Sequence, residues 1–119
     1  MNTNTATQFL QVCALESPAK AFELYVNSNF THHNQYFPGD RSSLMNAMIE
    51  SDSKMPNKKF TIKHIFESGD KVAVHSHVVK ENMEIAVVHI MRFENGKISE
   101  MWDVGQVMEK NSPNKNGMF

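Results

Sequence analysis

The dipeptide Asn95-Gly96 restricts the fold of this chain more than any other feature. It lies between two strand-like runs, Glu84 to Glu94 and Lys97 to Gln106, which are rich in Val, Ile, Met, Phe and Trp. Asn-Gly between such runs is a strong hairpin signal, because both residues accept the positive φ that a tight reverse turn needs. The second run carries Asp103 directly after the only tryptophan, Trp102. A carboxylate in an otherwise apolar strand is costly to bury unless it is paired or has a task. The hairpin therefore reads as the floor of a small-molecule pocket.

The turn decides which side chains share that floor. A two-residue loop pairs Glu94 with Lys97 and puts His89 and Asp103 on opposite faces. A three-residue loop, with left-handed Gly96 closing a bulge, pairs Phe93 with Lys97 instead. His89, Met101 and Asp103 then share a face, with His89 opposite Met101 and Val87 opposite Asp103. Val88, Ile90, Trp102 and Val104 take the other face. The two options differ by one residue, and a one-residue slip turns every side chain over. We favour the three-residue form because it brings both ionisable groups together.

The 119 residues are enough for one domain with a sizeable core but not for two, so the chain is read as a single domain, 1–119. The net charge of −1 offers no basic surface for nucleic acid or an anionic membrane. No apolar run approaches the ~20 residues of a membrane span. The first residues lack the basic start and long apolar stretch of a secretory leader. One cysteine, Cys13, excludes an internal disulfide, and together these features suggest a cytoplasmic protein. Cys13 itself reads as a small core residue, and the polar tail from about Asn111 as the segment most prone to move.

Helical spacing runs from Thr5 to Glu16, and Ser17-Pro18 looks like a cap and first residue opening a second helix. The polar and aromatic stretch FTHHNQYFPGD reads as a loop. Asp40 or Ser42 can cap a third helix, Met-rich and stopped at Lys54-Met55-Pro56. After Pro56 the period changes to two, with strands at Phe60–Phe66 and Lys71–Val79 preceding the hairpin. Helices followed by a four-stranded antiparallel meander indicate an α+β fold, one strongly curved sheet with helices on one face.

His75 and His77 sit two apart on one strand and so share a face. If Lys80 pairs with Glu84, His75 lies opposite His89 and His77 opposite Val87. That clusters His75, His77, His89 and Asp103, an arrangement suited to proton transfer near neutral pH. The bland alternative is an exposed face of solvated histidines. A metal site is the competing use, since Gly69, His75-x-His77 and Glu81 mimic the first metal motif of cupins. No second motif follows, and adjacent His32 and His33 would face opposite ways on an extended segment, so no metal is expected.

Several segments together resemble the SnoaL-like proteins, the polyketide-cyclase branch of the nuclear transport factor 2-like superfamily. They are Thr31-His-His-Asn34, Gly69-Asp-Lys-Val-Ala-Val-His75, Arg92-Phe-Glu-Asn-Gly-Lys-Ile98, Glu100-Met-Trp-Asp-Val-Gly-Gln106 and Asn116-Gly-Met-Phe119. The resemblance runs from about Tyr25 to the C-terminus. It implies a cone-shaped fold with N-terminal helices packed on a strongly curved antiparallel sheet, and commonly a homodimer. It places Asp103 where the cyclases keep the acid/base of an intramolecular aldol closure. His89 matches a substrate-binding histidine, and His33 and Asn34 match a pair at the pocket mouth. Relatives usually carry aspartate at the position of His89 and histidine at that of Met101. The chain is also shorter than a typical cyclase, which implies a smaller substrate.

The resulting expectation is cofactor-free acid/base chemistry alpha to a carbonyl: aldol-type cyclisation, dehydration or isomerisation of a small hydrophobic carbonyl compound. Asp103 is the general base, with His89 and His75 on the carbonyl oxygen and His33, Asn34, His77, Met101 and Val87 against the substrate. A homodimer forms through the outer sheet face. The alternatives are a non-catalytic ligand-binding module with the same pocket, and a metal site at the histidine cluster.

Overall fold

The computed structural model describes residues 1–119. Three helices and five strands run in the order α1 (Asn2–Leu15), α2 (Pro18–Tyr25), β1 (Val26–His32), α3 (Arg41–Lys54), β2 (Lys59–Ser68), β3 (Lys71–Val79), β4 (Glu84–Glu94) and β5 (Lys97–Val107). The strands form one curled, unclosed sheet in the order β1-β5-β4-β3-β2. The helices pack on its concave side, an α+β arrangement.

Each helix follows from its sequence. α1 buries Ala6, Phe9, Leu10 and Cys13, the spacing of one helical stripe. Ser17 caps α2, its Oγ accepting from the Lys20 amide at 3.2 Å, with Pro18 in the first turn. Asp40 caps α3 through the Ser43 amide at 3.0 Å. Rings at Phe9, Phe22 and Phe30 meet edge to face, at 5.5 and 5.8 Å between centroids, and tie α1 and α2 to the sheet. Met45 and Met48 of α3 pack against the same core. Cys13 is buried within it, which pushes its thiol pKa up and leaves it a packing residue.

The sheet departs from the expected four-stranded meander by one strand. β1 lies parallel to β5, and its last residues, Phe30 to His32, fall in the stretch read above as a loop. Its sequence, VNSNFTH, hides the alternation because only Val26, Phe30 and His32 turn inward, and its pairing with β5 is interrupted between Val26 and Thr31. An irregular edge strand with polar outward residues gives little period-two signal.

The hairpin register differs in mechanism from the expected one. The turn has two residues: Glu94 pairs with Lys97, and Asn95 and Gly96 have φ of 52° and 80°. Both values belong to the mirror-image turn that matches strand twist. The bulge lies beyond the turn. Phe93 pairs with Ile98 but Arg92 pairs with Glu100, so Ser99 is the extra residue. Asn27 of β1 holds this spot, its Nδ2 donating to Ser99 Oγ and to the Glu94 carbonyl.

Candidate functional site

The Ser99 bulge changes the parity of everything after it. A plain two-residue hairpin would send Asp103 to the convex face, away from His89. With the bulge, Met91 pairs with Met101, His89 with Asp103 and Val87 with Gly105. His89, Met101, Val87 and Asp103 therefore share the concave face. The grouping is the expected one, but the pairs are shifted: His89 lies opposite Asp103 rather than Met101.

Asp103 sits between two partners. Its Oδ2 accepts a hydrogen bond from Asn34 Nδ2 at 2.9 Å. Its Oδ1 lies 3.5 Å from His89 Nε2, long for a hydrogen bond but close for a charge contact. One fifth of the Asp103 side chain remains exposed. The concave face opens beside it at Gly105 and Val107, both exposed. His89 is 9% exposed, and burial lowers its pKa while the nearby Asp103 carboxylate opposes that shift. Burial is the larger effect, so the imidazole is held neutral.

The segment after β1 aims Asn34. Its backbone amide donates to His32 Nδ1 at 3.0 Å, so that nitrogen is the acceptor. His32 Nε2 then donates to the Pro38 carbonyl at 2.6 Å, which fixes the tautomer. The Tyr36 amide donates to Asn34 Oδ1 at 3.0 Å, leaving Nδ2 directed at Asp103. His32 is buried and faces inward.

Adjacent His33 turns outward, where it stacks on Trp102 at 4.8 Å and meets Glu100 Oε2 at 2.6 Å. His33 and Arg92 together hold the Glu100 carboxyl below its usual pKa. The structure thus places His33, expected against the substrate, on the side of the sheet away from Asp103. On the inward side, His32 positions Asn34.

His75 and His77 also leave the expected cluster. Val79, not Lys80, pairs with Glu84, which puts His75 opposite Val88 and His77 opposite Ala86 on the convex face. There His75 stacks on His64 at 5.4 Å, and Phe119 packs on both histidines at 5.0 Å. His77 Nε2 meets Glu84 at 2.6 Å. The physical reason was legible: Val72, Val74 and Val78 form the apolar stripe of β3, so Lys71, His75 and His77 must face away. No three His, Cys, Asp or Glu side chains lie together in a metal-holding group.

The concave stripe of β3 also contains Ser76, a buried polar residue that sequence reasoning passed over. Its signal was a lone serine in register with three valines. The larger hollows of the surface lie away from Asp103. One of about 750 Å³ sits between β1 and the start of α3, and one of about 640 Å³ lies along α3 beside Phe37 and Pro38.

The profile of the SnoaL-like polyketide cyclases matches residues 4–110. The chain belongs to that family. Its fold is similar to IdmH of Streptomyces antibioticus, assigned as a polyketide cyclase, at TM-score 0.72 and 14% identity over 89% of this chain and 92% of that one. It is similar to AclR of Streptomyces galilaeus, assigned as a hydroxylase, at TM-score 0.76 and 15% identity over 88% and 78%. A nuclear transport factor 2-like protein of unknown function from Cytophaga hutchinsonii aligns at 0.72 and 20% over 89% and 90%. No curated protein matches the sequence. No helix is long and apolar enough to cross a membrane.

Proposed function

We propose that this SnoaL-like protein performs cofactor-free acid/base chemistry alpha to a carbonyl on a small hydrophobic compound. The observation that carries the reading is the His89–Asp103–Asn34 row. A partly exposed carboxylate has one oxygen held by an amide and the other beside a neutral imidazole, at the open end of the concave face. Asn34 fixes the carboxylate plane, Asp103 takes the proton, and His89 holds an oxygen of the substrate. Met101 and Val87 supply apolar wall beneath. His75, His77 and His33 take no part, because they lie across the sheet. Membership in a family of polyketide cyclases supports the reaction class.

One observation favours a second reading, a non-catalytic binding module: Asn34 already satisfies Asp103 within the protein. Asp103→Asn separates the two. If Asp103 is the base, the variant keeps its melting temperature, and deuterium exchange alpha to the carbonyl of a small ketone slows by about two to four powers of ten. If it is structural, stability falls by ~1–3 kcal/mol and exchange is the same with or without the substitution.

A further inference from the structure

Two buried polar atoms on the concave face have no hydrogen-bond partner in the protein: Ser76 Oγ and His89 Nδ1. Ser76 is 0% exposed and His89 9%. Ser76 pairs with Val87 and Val74 with His89, so the two side chains are diagonal neighbours on adjacent strands. An unmet buried donor or acceptor is costly, and native interiors rarely keep two side by side.

The chemistry of the two atoms limits what can satisfy both. A neutral imidazole has one N–H and one bare nitrogen. His89 Nε2 faces the Asp103 carboxylate, which cannot donate, so Nε2 carries the hydrogen. Nδ1 is then an acceptor only. The Ser76 hydroxyl donates or accepts. A carbonyl oxygen would satisfy Ser76 and leave Nδ1 unmet. A hydroxyl group satisfies both, donating to Nδ1 and accepting from Ser76.

We infer that Ser76 Oγ and His89 Nδ1 form a recognition site for a hydroxyl group, which selects phenols, enols or β-hydroxy carbonyl compounds over simple ketones. The inference rests on the proposed reading of the Asp103 face and names its substrate class. Nδ1 and Nε2 lie on opposite sides of the ring, so the hydroxyl and Asp103 engage separate parts of one ligand. In this scheme Ser76 holds the ligand oxygen and His89 Nδ1 tells a hydroxyl from a carbonyl.

The test uses 4-methylphenol and 4-methylanisole, whose capped oxygen accepts but cannot donate. Binding to the full chain is followed by the imidazole nitrogen resonances of His89. The expected result is about tenfold tighter binding of the phenol, with the Nδ1 resonance moving as it gains a donor. Ser76→Ala should weaken both ligands alike, because either oxygen accepts from Ser76, and Ser76→Thr, which keeps a hydroxyl, should restore the affinity of both. Equal binding of both ligands to the wild type overturns the proposal and needs no variant. So does a Ser76→Ala variant that binds both ligands as tightly as the wild type, or a phenol-bound crystal structure in which water bridges Ser76 and His89. The Asp103→Asn exchange experiment fails independently: a phenol preference that persists while exchange is unaffected would sink the acid/base reading and leave the hydroxyl site standing.

Discussion

His89 is a titratable group enclosed on the concave face, and pH acts on it directly. Burial lowers its pKa from the ordinary 6.5. Between that value and the lower folded one, the unfolded chain binds a proton that the folded chain refuses. The stability owed to neutral His89 is therefore complete above about pH 6.5 and is lost as pH falls through the folded pKa. Chemical denaturation between pH 8 and pH 5 should show stability declining on the acid side of about 6.5. His89→Gln should flatten that decline. Glu100, whose pKa is lowered by His33 and Arg92, contributes its own loss only below the ordinary carboxylate value of 4.5, so the two windows are separable. A wild-type curve that stays level down to pH 5 would contradict an enclosed neutral His89.

At the scale of elements, the Ser99 bulge determines the site. It is one extra residue in β5, and without it Asp103 would lie in solvent on the convex face. Asn27 pins the bulge from the neighbouring β1 through two side-chain hydrogen bonds. Asn27→Ala should cost ~1–3 kcal/mol, and amide hydrogen exchange should quicken around Ser99. The same variant should slow the deuterium exchange assigned to Asp103, although Asn27 is remote from that carboxylate, because it loosens the register that carries Asp103. Unchanged exchange at Ser99 and at its neighbours in β5, Ile98 and Glu100, would show that the ladder holds the bulge without Asn27.

For the whole molecule, the convex face bears on assembly. Val88 and Val104 lie opposite each other there, 37% and 67% exposed, with Ile90 and Trp102 beside them. Phe119 covers the neighbouring β3 histidines, and the β4–β5 side stays open. A contiguous apolar surface of this kind is a candidate for pairing with a second copy. Sedimentation should find a homodimer at micromolar concentration, and Ile90→Lys should yield monomers or aggregates. A monomeric wild type at that concentration counts against the pairing.

Local chemistry in the sequence was sufficient for the helices, the cap at Ser17, the place of the turn at Asn95-Gly96 though not its two-residue form, and the strands β2 to β5. Each depends on residues within a few positions of one another, where spacing and φ preference act directly. It was also sufficient to single out Asp103 and His89, because a charge and an imidazole are conspicuous in apolar strands. Only the tertiary structure decided how those strands align. β4 is apolar on both faces, so its alternation could not report which side carries His89. The bulge at Ser99 is stabilised by Asn27, distant in sequence, and β1 itself is ordered by its parallel partner β5. A side chain's face depends on register. Here register is set by contacts between distant segments, and these brought Asn34 to Asp103 and sent His75, His77 and His33 to the other side.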